Sequence, residues 1–320
     1  MGRVGLVLGA GGVVGHAFHA GVLRALAETT GWDPRSAELV VGTSAGAHVA
    51  ALLRGGFSAA DIAARTAGDP VSAEGARILR RIGPNEPVPG PRSRSVGMAS
   101  PGLLLRSVVR PWQAPRLGSL TAAALPRGRV SLDPFAARLR WLFESGWPEA
   151  ALWLCAVRLR DGRRVVLGQP GAPATDVGTA VAASCAIPGW FAPAQIGGNW
   201  YIDGGVHSPT NLDAVAGLGL DLVVVSAPMS VARGVRRRSV DLPARRALRL
   251  RLADEAWRVR RQGTLVVAFQ PTAADLEVMG LNSMNPRRRY PVVRRAYESA
   301  LGRLGRPECR DRLAALGDDG

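Results

Sequence analysis

Two short apolar runs near the start of the chain set its pattern. Val4–Leu8 and Leu39-Val40-Val41 are β-branched and uninterrupted, as expected of strands buried on both faces. Each leads into glycines and then into an Ala-, Val- and Leu-rich stretch without a breaker. Residues 9–15 thus open a helix running to about residue 28, and residues 42–46 open one that ends before Gly55. Strand, glycine turn and helix, repeated, predict parallel strands with crossover helices. Residues 132–145 read as a helix opened by Asp133-Pro134. Residues 151–159 form a central strand, with 164–167 as its hairpin partner across Asp161-Gly162. A helix over 180–186 stops at Pro188, and 198–205 is a short strand that delivers Asp203 into Gly204-Gly205. Residues 222–225 and 264–269 are further strands, 245–261 an exposed charged helix and 290–304 a closing helix.

The fold class predicted is α/β, a mainly parallel central sheet flanked by helices, as a single domain over 1–320. No internal repeat is present. From about 68 to 130 the periodicity fails among Pro84, Pro87, Pro89, Pro91, Pro101, Pro111 and Pro115. This segment is read as an irregular cap. Within it the apolar and basic run 103–112 is either a lid touching substrate or membrane, or a surface excursion closing over the core.

Composition narrows the class. Of 320 residues, 47% are apolar, so the chain has material for a sizeable core. No apolar run reaches the ~18 residues of a membrane-spanning helix. The chain enters its first strand at once instead of presenting a signal-type apolar stretch, so a cytoplasmic protein is expected, with peripheral membrane contact. Cys155, Cys185 and Cys309 are few and scattered, which favours buried thiols for the first two and leaves the third without a partner. The four histidines share no ligand spacing with them, so no metal is expected. The formal charge is +16, and all 41 basic residues are Arg. Arginines concentrate in 233–261 and at 287–289 in the C-terminal part, 233–320. With aromatics at 5% and no recognition motif, nucleic acid is not expected as a partner. An anionic membrane surface suits these basic faces better, beside the plainer reading of solvated surface.

Gly42-Thr43-Ser44-Ala45-Gly46 between strand and helix has the form of a nucleophile elbow, whose sharp turn needs small neighbours around the serine. The first glycine loop, Gly9 to Gly15, admits two readings. One is a dinucleotide-binding loop of an oxidoreductase, but Val14 stands at the third glycine of G-x-G-x-x-G and the second strand ends without an acid. The other is an oxyanion hole, its amides turned toward a neighbouring elbow serine. For the serine's base, His16, His19 and His48 lie on the two helices after the glycine turns. Ser44, Asp203 and His207 formally keep the order of a triad, at poor spacing. Asp203 itself, at a strand end between small residues, is placed to reach a serine directly.

Three blocks taken together, Ala10-Gly11-Gly12-Val13-Val14-Gly15, the elbow at 42–46 and Asp203-Gly204-Gly205, resemble the patatin-like phospholipases in order and spacing. Residues 183–191 and Asn211 add weaker likeness. The resemblance covers roughly 3–56 and 176–228, with an echo near 270–284. It implies a three-layer fold and a phospholipase A or lysophospholipase-type esterase acting on lipid esters. It also implies a Ser-Asp dyad without histidine: Ser44 as nucleophile, Asp203 as base, and the amides of Gly11 and Gly12 holding the oxyanion. Gly42, Gly46, Gly204 and Gly205 support the motif, and no cofactor is implied. Two residues depart from the family pattern. Ala10 replaces its first glycine, and Val14 stands where Arg or Lys is usual beside the oxyanion hole. The second departure motivates an alternative, a catalytically weak lipid- or membrane-binding relative.

Overall fold

The computed structural model describes residues 2–82, 98–109, 117–143 and 146–313. Its strands are β1 (Val4–Leu8), β2 (Leu39–Thr43), β3 (Ala151–Arg158), β4 (Arg164–Leu167), β5 (Ala194–Ile196), β6 (Asn199–Asp203), β7 (Leu222–Ser226) and β8 (Leu265–Phe269). The helices are α1 (Gly12–Thr30), α2 (Ala45–Arg54), α3 (Ala59–Ala67), α4 (Ala73–Ile82), α5 (Pro101–Val109), α6 (Leu117–Ala124), α7 (Asp133–Arg140), α8 (Val177–Cys185), α9 (Leu242–Arg260), α10 (Ala273–Met279), α11 (Arg289–Leu304) and α12 (Pro307–Leu313).

The strands form one sheet in the order β5-β6-β3-β2-β1-β7-β8, with β4 also on β3. Strands β3, β2, β1, β7 and β8 run parallel, and β4, β5 and β6 add antiparallel pairs. Alternation along each strand sorts side chains to two faces. Leu6, Leu8, Val40, Leu154 and Val224 pack with α1, α2, α8 and α11. Val7, Val41, Cys155 and Val225 pack against Leu252, Ala256 and Val259 of α9. Sheet and flanking helices make the three-layer α/β fold, and these two apolar layers supply most of its burial free energy.

Within 68–130 the described residues carry α4, α5 and α6. Pro101 is compatible with α5 because it occupies the first helical position, where no backbone donor is needed. Most of the prolines that disrupted the periodicity, together with Trp112, lie outside the described residues. Ala99 and Ala122, on either side of α5 in the chain, pack with Val157, Leu159 and Ile202 at one end of the sheet. Among the described residues, no helix is long and apolar enough to cross a membrane.

Candidate active site

Strand β3 brings the two candidate residues together. Its residues 154 and 155 pair with β2 and β4, and its residues 156 and 157 pair with β6 and β4. Since β4 occupies one edge throughout, β2 and β6 share the other and meet on it from opposite directions. Thr43 stands opposite Cys155, and Asp203 opposite Ala156. The next residue after Thr43 is Ser44, so serine and aspartate are delivered to adjoining positions. The Ser44 side chain lies close enough to the Asp203 carboxylate to favour its ionised form.

Ser44 has φ 54° and ψ −118°, a strained backbone for a side-chain-bearing residue. Its surroundings hold it there. The Ser44 amide donates to Ser184 Oγ at 2.9 Å, and that hydroxyl donates to the Cys155 carbonyl at 2.6 Å. The Cys185 thiol donates to the Ser44 carbonyl at 3.2 Å. The buried C-terminal end of α8 is thus a brace between the turn and β3. Gly46 is required by close approach, since a Cβ there would lie 2.0 Å from the Leu8 carbonyl oxygen. Gly204 is in the same position on the aspartate side, with 2.2 Å to the Cys155 carbonyl oxygen. Gly42 packs against Ala47, and Gly205 sits beside Ala10 and Asp203.

Asp203 is 5% exposed. Burial raises its carboxyl from 3.8 to about 6, against the opposing influence of the nearby Ser44 side chain and of the Gly205 amide, which donates to it at 2.7 Å. A buried carboxylate with few donors is a better proton acceptor than one in water. Asn211, fully buried at φ 50°, joins the two halves of the site. Its amide donates to Thr43 Oγ1 at 3.1 Å and to the Gly204 and Ser208 carbonyls at 3.3 and 2.6 Å. Behind this turn, Glu255 of α9 accepts from Ser208 Oγ, Thr210 Oγ1 and the Leu212 amide at 2.6, 2.6 and 3.0 Å.

The glycine loop lies next to the elbow, with the Gly46 amide donating to the Gly9 carbonyl at 3.1 Å. Among the described residues, the amides of Gly11 and Gly12 have no backbone acceptor, leaving donors at the start of α1 for an incoming anion. Met284 covers Gly12, and the Val14 amide donates to the Ser283 carbonyl at 2.9 Å. Val14 itself is 2% exposed and packs in the core beside the sheet, so its side chain does not line the site.

Ser44 and Gly12 open onto a cavity of about 250 Å³. Its apolar wall comes from Val13, Ile82, Leu132, Phe135, Leu139, Ile187 and Phe191. The run 103–112, read as a lid, lies partly outside the described residues; the described lining includes residues of α7, Met284 and Arg289. His16 and His48, on the two helices that follow the glycine turns, both line the cavity with ring centroids 4.9 Å apart. Burial, with nearby arginines adding to it, lowers both, His48 to about 3, so both are neutral at physiological pH. His19 is buried elsewhere, bonded to Ser226 Oγ and the Gly9 carbonyl at 2.7 Å each. His207 faces Arg164 and Asp213 and does not line the cavity. Cys155 and Cys309 are buried thiols, and Cys185 lines the cavity. Arg289 also lines it, although its arginine run was read as surface. No group of three or more His, Cys, Asp or Glu able to hold a metal occurs among the described residues.

A family model described as "patatin-like phospholipase" matches residues 6–216. Among solved structures the chain is similar to VipD from Legionella pneumophila, at 16% identity over 94% of this chain and 66% of that one, with a TM-score of 0.45. It is also similar to the type III effector protein ExoU, at 18% identity over 98% of this chain and 53% of that one, with a TM-score of 0.35. The chain therefore spans just under two thirds of the first protein and about half of the second. No curated protein matches it.

Proposed function

Because the chain belongs to the patatin-like phospholipase family, we propose that it hydrolyses lipid acyl esters, with Ser44 as nucleophile and Asp203 as its base. The observation that carries this reading is the placing of a strained elbow serine beside a buried, weakly solvated carboxylate. In the first half-reaction Asp203 takes the Ser44 proton as Oγ attacks the ester carbonyl. The tetrahedral oxyanion is met by the Gly11 and Gly12 amides. The leaving alkoxide takes the proton from Asp203, and the acyl group stays on Ser44. Water then attacks the acyl-enzyme, gives a proton to Asp203, and the fatty acid departs as Ser44 Oγ recovers it. The neutral histidines and apolar wall favour an acyl chain beside the serine. Arg287, exposed two residues before the cavity-lining Arg289, favours approach to an anionic lipid surface. The arginines of α9 lie across the sheet from the cavity helices and favour that approach less.

The test is hydrolysis of a p-nitrophenyl ester and of a lysophospholipid by wild type, Ser44→Ala and Asp203→Asn. Each variant is expected to lose about 10³-fold or more in kcat, and a fluorophosphonate probe to label wild type at Ser44 alone. Retained hydrolysis in either variant would overturn the mechanism.

A further inference from the structure

The cavity that holds Ser44 is unusually one-sided in charge. Arg65 of α3, Arg138 of α7 and Arg289 of α11 all line it, and among the described residues no acidic one does. Three separate helices therefore deliver guanidinium groups to one enclosed space that is otherwise mostly apolar. Arg65 has its Nε and Nη1 buried without a hydrogen-bond partner. Among the described residues, Arg65 and Arg289 have no ion-pair partner, and no acid acts on Arg289. Burial, then Arg138 and Arg289, pulls Arg65 down to about 10. Leaving the half-buried Arg65 and Arg289 without an acidic partner is costly, and an anion between them removes that cost. Guanidinium also presents paired donors that match a phosphate or carboxylate.

We infer that Arg65, Arg138 and Arg289 form an anion subsite inside the Ser44 cavity, which receives a phosphate group, that of the ester substrate. This rests on the reading of Ser44 as the nucleophile for lipid esters. It narrows the substrate class to acyl esters carrying a phosphate close to the scissile bond.

The test is a titration that needs no turnover. Full-length Ser44→Ala protein is titrated with dodecyl phosphate and with dodecanol, alone and combined with Arg289→Gln, Arg65→Gln or Arg289→Lys. Dodecyl phosphate is expected to bind about tenfold or more tightly than dodecanol. Arg289→Gln and Arg65→Gln should remove that preference, and Arg289→Lys should keep part of it. Equal binding of the two ligands, or a preference untouched by Arg289→Gln, overturns the subsite. If Arg65→Gln fails to fold, Arg289→Gln and Arg289→Lys decide the matter. Inorganic phosphate is the second arm. Competition only at large excess supports the lipid phosphate, whereas competition at equal concentration overturns the assignment to substrate. Because binding is read without hydrolysis, loss of the esterase reading and loss of the subsite give separate results.

Discussion

Thr43 and Asp203 occupy successive register positions, opposite Cys155 and Ala156, along the same edge of β3. The serine that follows Thr43 and the aspartate that ends β6 are therefore neighbours through backbone pairing, although they stand 159 positions apart in the chain. The carboxylate reached in this way is dry, and its protonation should govern the reaction. Asp203 must be ionised to accept the Ser44 proton, and it titrates at about 6. With a neutral short ester, kcat/KM should fall about tenfold per pH unit below pH 6 and be level above it. A limb centred near 4, where His19 and His207 titrate, would contradict this assignment.

The same carboxyl makes a prediction about stability. Its folded value lies above its ordinary 3.8, so the folded state holds the proton more tightly than the unfolded chain. The resulting destabilisation is absent below about pH 4, grows as pH rises, and is complete above about pH 6. Asp203→Asn should accordingly stabilise the protein by about 2–3 kcal/mol at pH 8 and by little at pH 4. Urea unfolding at both values measures it, and equal effects at the two would refute the cause.

Ser184 braces the elbow by accepting from Ser44 and donating to Cys155. Ser184→Ala leaves both backbone groups buried without that partner and should cost about 1–3 kcal/mol. Since the substrate is not touched, kcat should fall while KM for a short ester holds. A KM effect alone would argue against a positioning role.

Asn211 combines a positive φ with a clamp across the site, and two variants separate these. Asn211→Gly tolerates the backbone but lacks the clamp, whereas Asn211→Ala lacks both. Both should lose kcat, and Ala should be the less stable by about 1 kcal/mol. Thermal unfolding alongside steady-state kinetics gives the comparison.

Glu255→Ala removes the acceptor of three donors in the turn behind Asp203. A loss of about 2–4 kcal/mol is expected, with lowered kcat in the protein that remains folded. Chemical denaturation and active-site titration would show it. Full stability in the variant would mean that the turn does not depend on α9.

The local parts of this design were readable from the chain. Strand, elbow and helix are consecutive residues, and Asp203 between small neighbours announces a strand end. What stayed hidden depends on distant packing. Nothing around Glu255, one of two adjacent acids in an arginine-rich helix, says that it supports a turn 45 residues away. Arg65, Arg138 and Arg289 are separated by most of the chain and carry no shared local pattern. The histidines did leave a signal. His16 follows Gly12 by four residues and His48 follows Ser44 by four, so each returns to the helix face that its glycine turn opens onto. Val14, two residues past Gly12, falls on another face and packs in the core, which no count of motif letters reveals.

The shared edge of β3 has a further consequence for how such a chain tolerates change. Chain length between Ser44 and Asp203 is of no account to the chemistry as long as it varies in the connections. Inside β3 or β6 it is critical. One residue inserted between Cys155 and Ala156 would part the two strand ends by about 3.4 Å, and one inserted in β6 would turn Asp203 to the opposite face of the sheet. Drift in length should therefore collect around 68–130 and 186–198, while these two strands keep their count as strictly as a reading frame.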